Sequence, residues 1–337
     1  MAALGALLAS DPEAERALAA LIADPDPAVA RAAVDAAAAT GAPALVEPLL
    51  ARLGALDVAP ALAACGRGSE ARLVAALSVA SPRGRRELVR ALGLCGTPAA
   101  AAALVACLDG DEVLRLPAAR ALGRAVTRMP ELAFDRARVR GALDAELVAA
   151  FHAMAAAEGL GHVESAMVAD GTRARVPYLP DAPEGAAALL SKTLRDRQDR
   201  HRARTFALLA ALSPRAGIET LAANLREPDA ARRANAIEVL DAVVDRDLRA
   251  RLIPLVDESP RYAKLAAVPI PLPKHTRDEW VDVLLADPAP WVLACTAYYA
   301  GVHRIGSATA RLRELAGHAD ATVRESAALA LAELAPR

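Results

Sequence analysis

RRANAIEVLDAVVD, Arg232 to Asp245, preceded by LREPDAA from Leu225, is the stretch that decides the fold. An Asp-containing turn, a basic start and apolar residues at Ile237, Leu240, Val243 and Val244 describe one amphipathic helix. Asn235, Glu238 and Asp241 follow one another at three-residue steps along it. Asparagine is a poor interior helix former because its amide competes with the backbone. Its presence here implies a compensating contact, for which a hydrogen bond from a buried amide to the neighbouring repeat is the expectation.

The same turn-plus-helix unit recurs. It reads DPDPAVARAAVDAAAA from Asp24, DGDEVLRLPAARALGRA from Asp109, EPDAARRANAIEVLDAV from Glu227, DPAPWVLACTAYYAGV from Asp287 and HADATVRESAALALAEL from His318. Each polar or proline turn leads into Ala with Leu or Val at i, i+3, i+4 and i+7. The preceding runs VEPLLARL and LIPLVDE hold Pro48 and Pro254, which bend a helix, and Gly41, Gly66 and Gly96 follow helical runs as expected left-handed caps. The spacing is irregular but near the roughly 40 residues of two-helix repeats. An all-α fold follows, an α-solenoid in which antiparallel helix pairs, about nine to ten of them, wind into a superhelix.

Composition supports this. Hydrophobic residues make up 55% of the 337 and aromatics 3%, so the core is Ala, Leu and Val, whose small side chains let helices approach closely. Forty basic against forty-one acidic residues give a net charge of -1, which removes the global charge signature of nucleic-acid binding but leaves room for a local basic patch. Cys65, Cys95, Cys107 and Cys295 follow neither metal nor redox spacing and read as small buried hydrophobes. MAALGALLAS lacks a basic leader region, and the uncharged run from Ala91 to Leu108 is broken by Gly96, Thr97 and Pro98. The expectation is a cytoplasmic chain with reduced thiols and no transmembrane segment.

A proline-bent first helix, an acidic turn and a second helix opening on Val-Arg or Leu-Arg resemble HEAT repeats. In that family the turn acid and the Arg six residues later form a ladder between neighbouring repeats. Asp109 with Arg115 and Glu227 with Arg233 match that spacing, whereas Asp24 precedes Ala30, Asp287 precedes Leu293, and His318 stands in place of the acid before Arg324. LSKTLRDRQDRHRARTFALLAAL, LAANLREPDAARRANAIEVLD and the terminal VRESAALAL are similar to the soluble HEAT region of bacterial ADP/ATP-carrier-like major facilitator proteins. That resemblance implies a regulatory scaffold whose partner is a membrane carrier or its regulator, without transport itself.

The expected organisation is N-terminal repeats over 1–160, a Gly/Pro-rich joint over 161–184, and C-terminal repeats over 185–337 with a proline-rich insertion at about 257–278. Candidate contact residues fall into three groups. PRGRRELVR carries Arg83, Arg86 and Arg90, and LRDRQDRHRAR carries Arg195, Arg200 and Arg204, the last two sharing a helix face at i, i+4. Each run also reads as a solvated, self-neutralised face. Tyr262, Trp280, Trp291 and Tyr299 lie near the proline-rich segment, either as binding anchors or as packing of that segment.

Chemistry is sparsely signalled. His152, His162, His201, His275, His303 and His318 are scattered and none is followed by Glu. No HExxH, GxSxG or phosphate-cradling loop occurs, so neither catalytic residue, metal nor cofactor is expected. The function expected is a non-enzymatic scaffold that holds a protein partner on its concave helices. The alternative is a nucleic-acid-binding or base-excision protein, which would need a basic groove with a buried carboxylate beside aromatics.

Overall fold

A computed structural model describes residues 11–160, 184–227 and 229–335, with the backbone of 166–167 and 173–174. The expected joint at 161–184 falls almost wholly outside the described residues, as do His162 and Tyr178. Among the described residues there are eighteen α-helices and a two-residue antiparallel strand pair, Ala166–Met167 with Arg173–Ala174. Consecutive helices pack on their neighbours, as an α-solenoid requires.

Two compact units form, and they do not follow the linear division at 160 and 185. One takes the described residues up to Ala145 with Ala203–Val243; the other takes Glu146–Arg202 with the chain from Val244. The physical reason is helix length. The helices Arg136–Leu160 (α9) and Glu184–Leu212 (α10) each run through 25 or more residues and contribute a part to each unit.

The first unit opens with helices α1 (Pro12–Ile22), α2 (Pro27–Thr40), α3 (Val46–Leu50), α4 (Ala59–Cys65), α5 (Glu70–Val79), α6 (Pro82–Cys95), α7 (Pro98–Ala106) and α8 (Glu112–Arg128). Each even-numbered helix packs on the one before it, and α2, α4, α6 and α8 also stack successively on one another. Their starts are set locally. Asp26, Ser81, Thr97 and Asp111 accept hydrogen bonds from backbone N–H groups of the first turn, and proline opens α2, α6 and α7 where its missing N–H costs nothing. Gly41 and Gly96 end α2 and α6 in the left-handed conformation. Gly66 does not: its φ is -86°, and Gly68, at φ 78°, takes the left-handed turn instead.

Stacking is close because the facing residues are small. A Cβ added to Gly93 on α6 would lie 2.7 Å from the Ala121 Cβ on α8, so these helices meet almost backbone to backbone. Leu62, Leu88, Leu92, Leu104 and Leu122 fill the fully buried layer behind that contact. The unit also includes Ile218–Asn224 (α11) and Ala230–Val243 (α12), the helix of the opening quotation. On α12 the buried residues are Ala236 and Leu240, while Asn235 and Glu238 are exposed and Asp241 half-buried. The buried inter-repeat amide expected of Asn235 is therefore corrected: water solvates it, and no buried partner is required.

The second unit holds Arg246–Val256 (α13), Arg261–Ala267 (α14), Arg277–Leu284 (α15), Pro290–Val302 (α16), Thr309–Leu315 (α17) and Ala321–Leu334 (α18). The proline-rich insertion contains α14, then an irregular run pinned by buried Val268 and Ile270. α16 packs on α18, where a Cβ on Gly301 would come within 2.6 Å of the Ala330 Cα. Trp280 and Tyr299 belong to this core, at 4% and 2% exposure, with the Tyr299 hydroxyl donating to the Leu160 carbonyl at 3.4 Å.

The turn arginines act differently from the family ladder. Arg115 donates to the Gly110 carbonyl at 3.3 Å, Arg233 to the Glu227 carbonyl at 2.8 Å, and Arg324 to the His318 and Ala319 carbonyls at 2.8 and 2.7 Å. Each guanidinium reaches back over its own turn, where carbonyls ending the preceding helix need donors. The turn acids pair elsewhere, Asp109 with Arg138 and Asp287 with Arg197.

Candidate functional site

One concavity of the first unit runs along α6 and α8. Its volume is about 610 Å³. α8 presents Arg120, Arg124 and Arg128 at four-residue steps, so successive heads rise about 6 Å along one face. α6 presents Arg86 and Arg90 at the same step. The floor between the two files is apolar: Val89 and Ala121 are buried, and Leu94, Leu116 and Pro117 half-buried.

The alternation that builds this groove is local. On each helix the residues facing inward, such as Leu88 and Leu92 on α6 or Ala118 and Leu122 on α8, commit the face to the core. The arginines between them then project from the opposite edge. Arg128 ties the two helices by donating to the Gly93 carbonyl at 2.6 Å, and Arg124 donates to the Arg120 carbonyl at 3.3 Å. Arg90 donates to both oxygens of Asp57 at 2.8 and 2.9 Å. Among the described residues, Arg86, Arg120, Arg124 and Arg128 have no carboxylate within ion-pair distance, and Glu219 is the acid on the lining. Five arginines against Asp57 and Glu219 leave three positive charges uncompensated beside an apolar floor.

Of the residues singled out from the sequence, Arg86 and Arg90 fall in this groove. Arg83 does not line it and sits 3.7 Å from Glu87. Arg120, Arg124, Arg128, Leu116 and Pro117 were missed. The signal was present in RALGRAVTR, where arginine recurs at helical spacing in the unit after PRGRRELVR.

The second basic run disperses. Arg195 and Arg200 are exposed on the part of α10 in the second unit. Arg204, in the first unit, is 4% exposed and donates to the Glu112 side chain at 3.0 Å, so its expected contact role is corrected to a structural tie. Lys192 with Asp196, Arg202 with Asp199, and Arg197 with Asp287 neutralise the rest. Of the two readings of Trp280 and Tyr299, the packing one holds: the Trp280 ring lies against Gly159, and Tyr299 is buried in the same core. Tyr262 and Trp291 stay exposed, at 61% and 55%.

The groove lining includes neither an aromatic residue nor a buried carboxylate. Among the described residues no cluster of three or more His, Cys, Asp or Glu is placed to hold a metal. Burial pushes the Cys65 and Cys95 thiols up to about 11, and both donate to backbone carbonyls, of Ala37 and Ala63. In the second unit His201 Nδ1 lies 2.5 Å from Glu146 Oε2, a buried pair joining α9 to α10. Among the described residues, no helix is long and apolar enough to cross a membrane.

No family model and no curated protein matches this chain. Among solved structures, the crystal structure of an engineered protein from the Northeast Structural Genomics Consortium is similar over 98% of this chain and 83% of that one. It is 17% identical with a TM-score of 0.27, which is too low to carry an argument.

Proposed function

We propose that this chain is a non-enzymatic, HEAT-like scaffold, a superhelix of about nine to ten helix pairs that holds a protein partner on its concave face. The observation that carries the reading is the groove of α6 and α8, where uncompensated arginines flank an apolar floor. Apolar area and charge presented together suit a folded or folding peptide segment, whose side chains offer both. A cytoplasmic setting and a membrane carrier or its regulator as partner rest on the repeat resemblance alone.

Cross-linking mass spectrometry on the intact chain tests the reading. The expected result is a protein partner cross-linked to residues beside α6 and α8, lost in the Arg120→Glu/Arg124→Glu variant. Turnover of a substrate, or cross-links confined to other surfaces, would overturn it.

The same arginines support a second reading, in which the groove tracks nucleic-acid phosphates. Its base-excision form lacks the buried carboxylate and aromatics beside the groove. Duplex DNA also leaves the half-buried Leu94, Leu116 and Pro117 with nothing apolar to cover them. A duplex titration at low salt separates the two.

A further inference from the structure

We infer that the occupant of the α6/α8 groove is an acidic amphipathic helix, with leucine-like side chains on the half-buried floor of Leu94, Leu116 and Pro117 and carboxylates paired to Arg120, Arg124 and Arg86. The inference rests on the scaffold reading and names its partner chemistry.

Three observations converge on that occupant. Gly93 and Ala121 bring α6 and α8 into near backbone contact, which sets their axes at the close end of packed-helix spacing, about 8 Å. The valley over two helices so close admits the side-chain ridge of a third and excludes its whole cylinder, about 10 to 12 Å across. A guest helix therefore docks one face, with a ridge seated between the arginines. The arginines on α8 recur at four-residue steps, which is the rise at which carboxylates at i, i+4 and i+8 of a guest helix recur. The charge excess is the third observation: Arg86, Arg120 and Arg124 have no carboxylate within ion-pair distance among the described residues, whereas Arg83, Arg85 and Arg90 on the same helix α6 already have Glu87, Asp111 and Asp57.

Competing occupants fit less well. A small amphipathic anion would bury most of its surface only in an enclosed pocket, and here Arg86, Arg120, Arg124 and Arg128 are all exposed around an open trough. Nucleic-acid phosphates would use the arginines and leave the floor wet.

The test uses the full chain and a stapled helical peptide of about 18 residues, long enough to present more than four turns. It carries Glu at i, i+4, i+8, i+6 and i+10 and Leu at i+3 and i+7, so that leucine lies between two acidic stripes. Binding is read by fluorescence anisotropy. Replacing both leucines by serine should weaken binding at least about tenfold, the scale of one or two buried aliphatic side chains. Arg120→Glu/Arg124→Glu should weaken it at least about thirtyfold, and the milder Arg120→Gln/Arg124→Gln about fivefold, guarding against a folding defect in the first. Arg195→Glu/Arg200→Glu, on α10, should change it less than about twofold.

Equal binding of the leucine and serine peptides, or displacement of either by duplex DNA of matched charge, would overturn the acidic-helix assignment in favour of a polyanion. Absence of peptide binding would overturn it too. In that last case cross-links from a partner of other chemistry to α6 and α8 would leave the scaffold reading standing, and loss of those cross-links would remove both.

Discussion

Two arginine-rich stretches look alike as sequence and end up with opposite fates. LRDRQDRHRAR on α10 is the denser run, yet three of its five arginines meet carboxylates: Arg197 reaches Asp287, Arg202 reaches Asp199, and Arg204 is buried against Glu112. The arginines of α6 and α8 are spread over two repeats, and stacking brings five of them to one trough with few acids. Local charge density thus says little about a binding surface. What decides is which charges find partners when the helices pack, because a paired cation offers a guest little further attraction.

The largest expected difference between the two stretches is in binding. Charge reversal at Arg120 and Arg124 should weaken capture of an acidic amphipathic partner at least about thirtyfold, while reversal at Arg195 and Arg200 changes it less than about twofold, as parallel anisotropy titrations would show. Both pairs are exposed, so each double variant should keep its Tm within a few degrees. A collapse of Tm in the α8 variant alone would mean that those arginines hold the fold.

Stability should reverse that order. Arg204→Ala removes a buried guanidinium bonded to Glu112 and should cost about 1 to 3 kcal/mol in urea unfolding, whereas Arg120→Ala should stay within about 0.5 kcal/mol. Equal costs would erase the distinction between a structural and a displayed arginine. Gly93→Val probes the contact beneath the groove. With Ala121 only 2.7 Å from an added Cβ, overpacking should cost about 1 to 3 kcal/mol and splay α6 from α8, weakening peptide binding as well. An unchanged variant would show that the helices do not need the glycine.

The smallest effect concerns the hidden side of α6. Cys95, like Cys65 on α4, is held up at about 11 against an ordinary 9.0 by burial. A folded pKa above the unfolded one favours the native state below pH 9.0, and that contribution is lost as pH rises through about 11. Both thiols should resist iodoacetamide at pH 8 in the native chain and react after unfolding. Rapid native labelling of Cys95 would mean that α6 opens locally.

Much of this was legible beforehand. Turn acids, first-turn prolines and the alanine-leucine period located the helices, since capping and amphipathicity depend on residues within a few positions. Asn235 departs from expectation because its poor helix propensity implies a rewarding contact, whereas Ala236 and Leu240 mark the inward face and leave the amide exposed. Trp280 and Tyr299 stayed open in the sequence because an aromatic on an amphipathic helix suits a core and an interface equally; only the neighbour decides, and for Trp280 that neighbour is Gly159, far away in sequence. The turn arginines had the right spacing with a different acceptor, because a carbonyl carries no sequence signature.

What the chain's sequence determined by itself is an all-helical architecture of stacked pairs, because short-range propensity, capping and apolar period all agree on it. Only tertiary structure decided which arginines are displayed and which are tied. An ion pair between residues such as Arg204 and Glu112, or a floor shared by Val89 and Leu116, exists through contacts across the stack, and no local pattern encodes the distance between them.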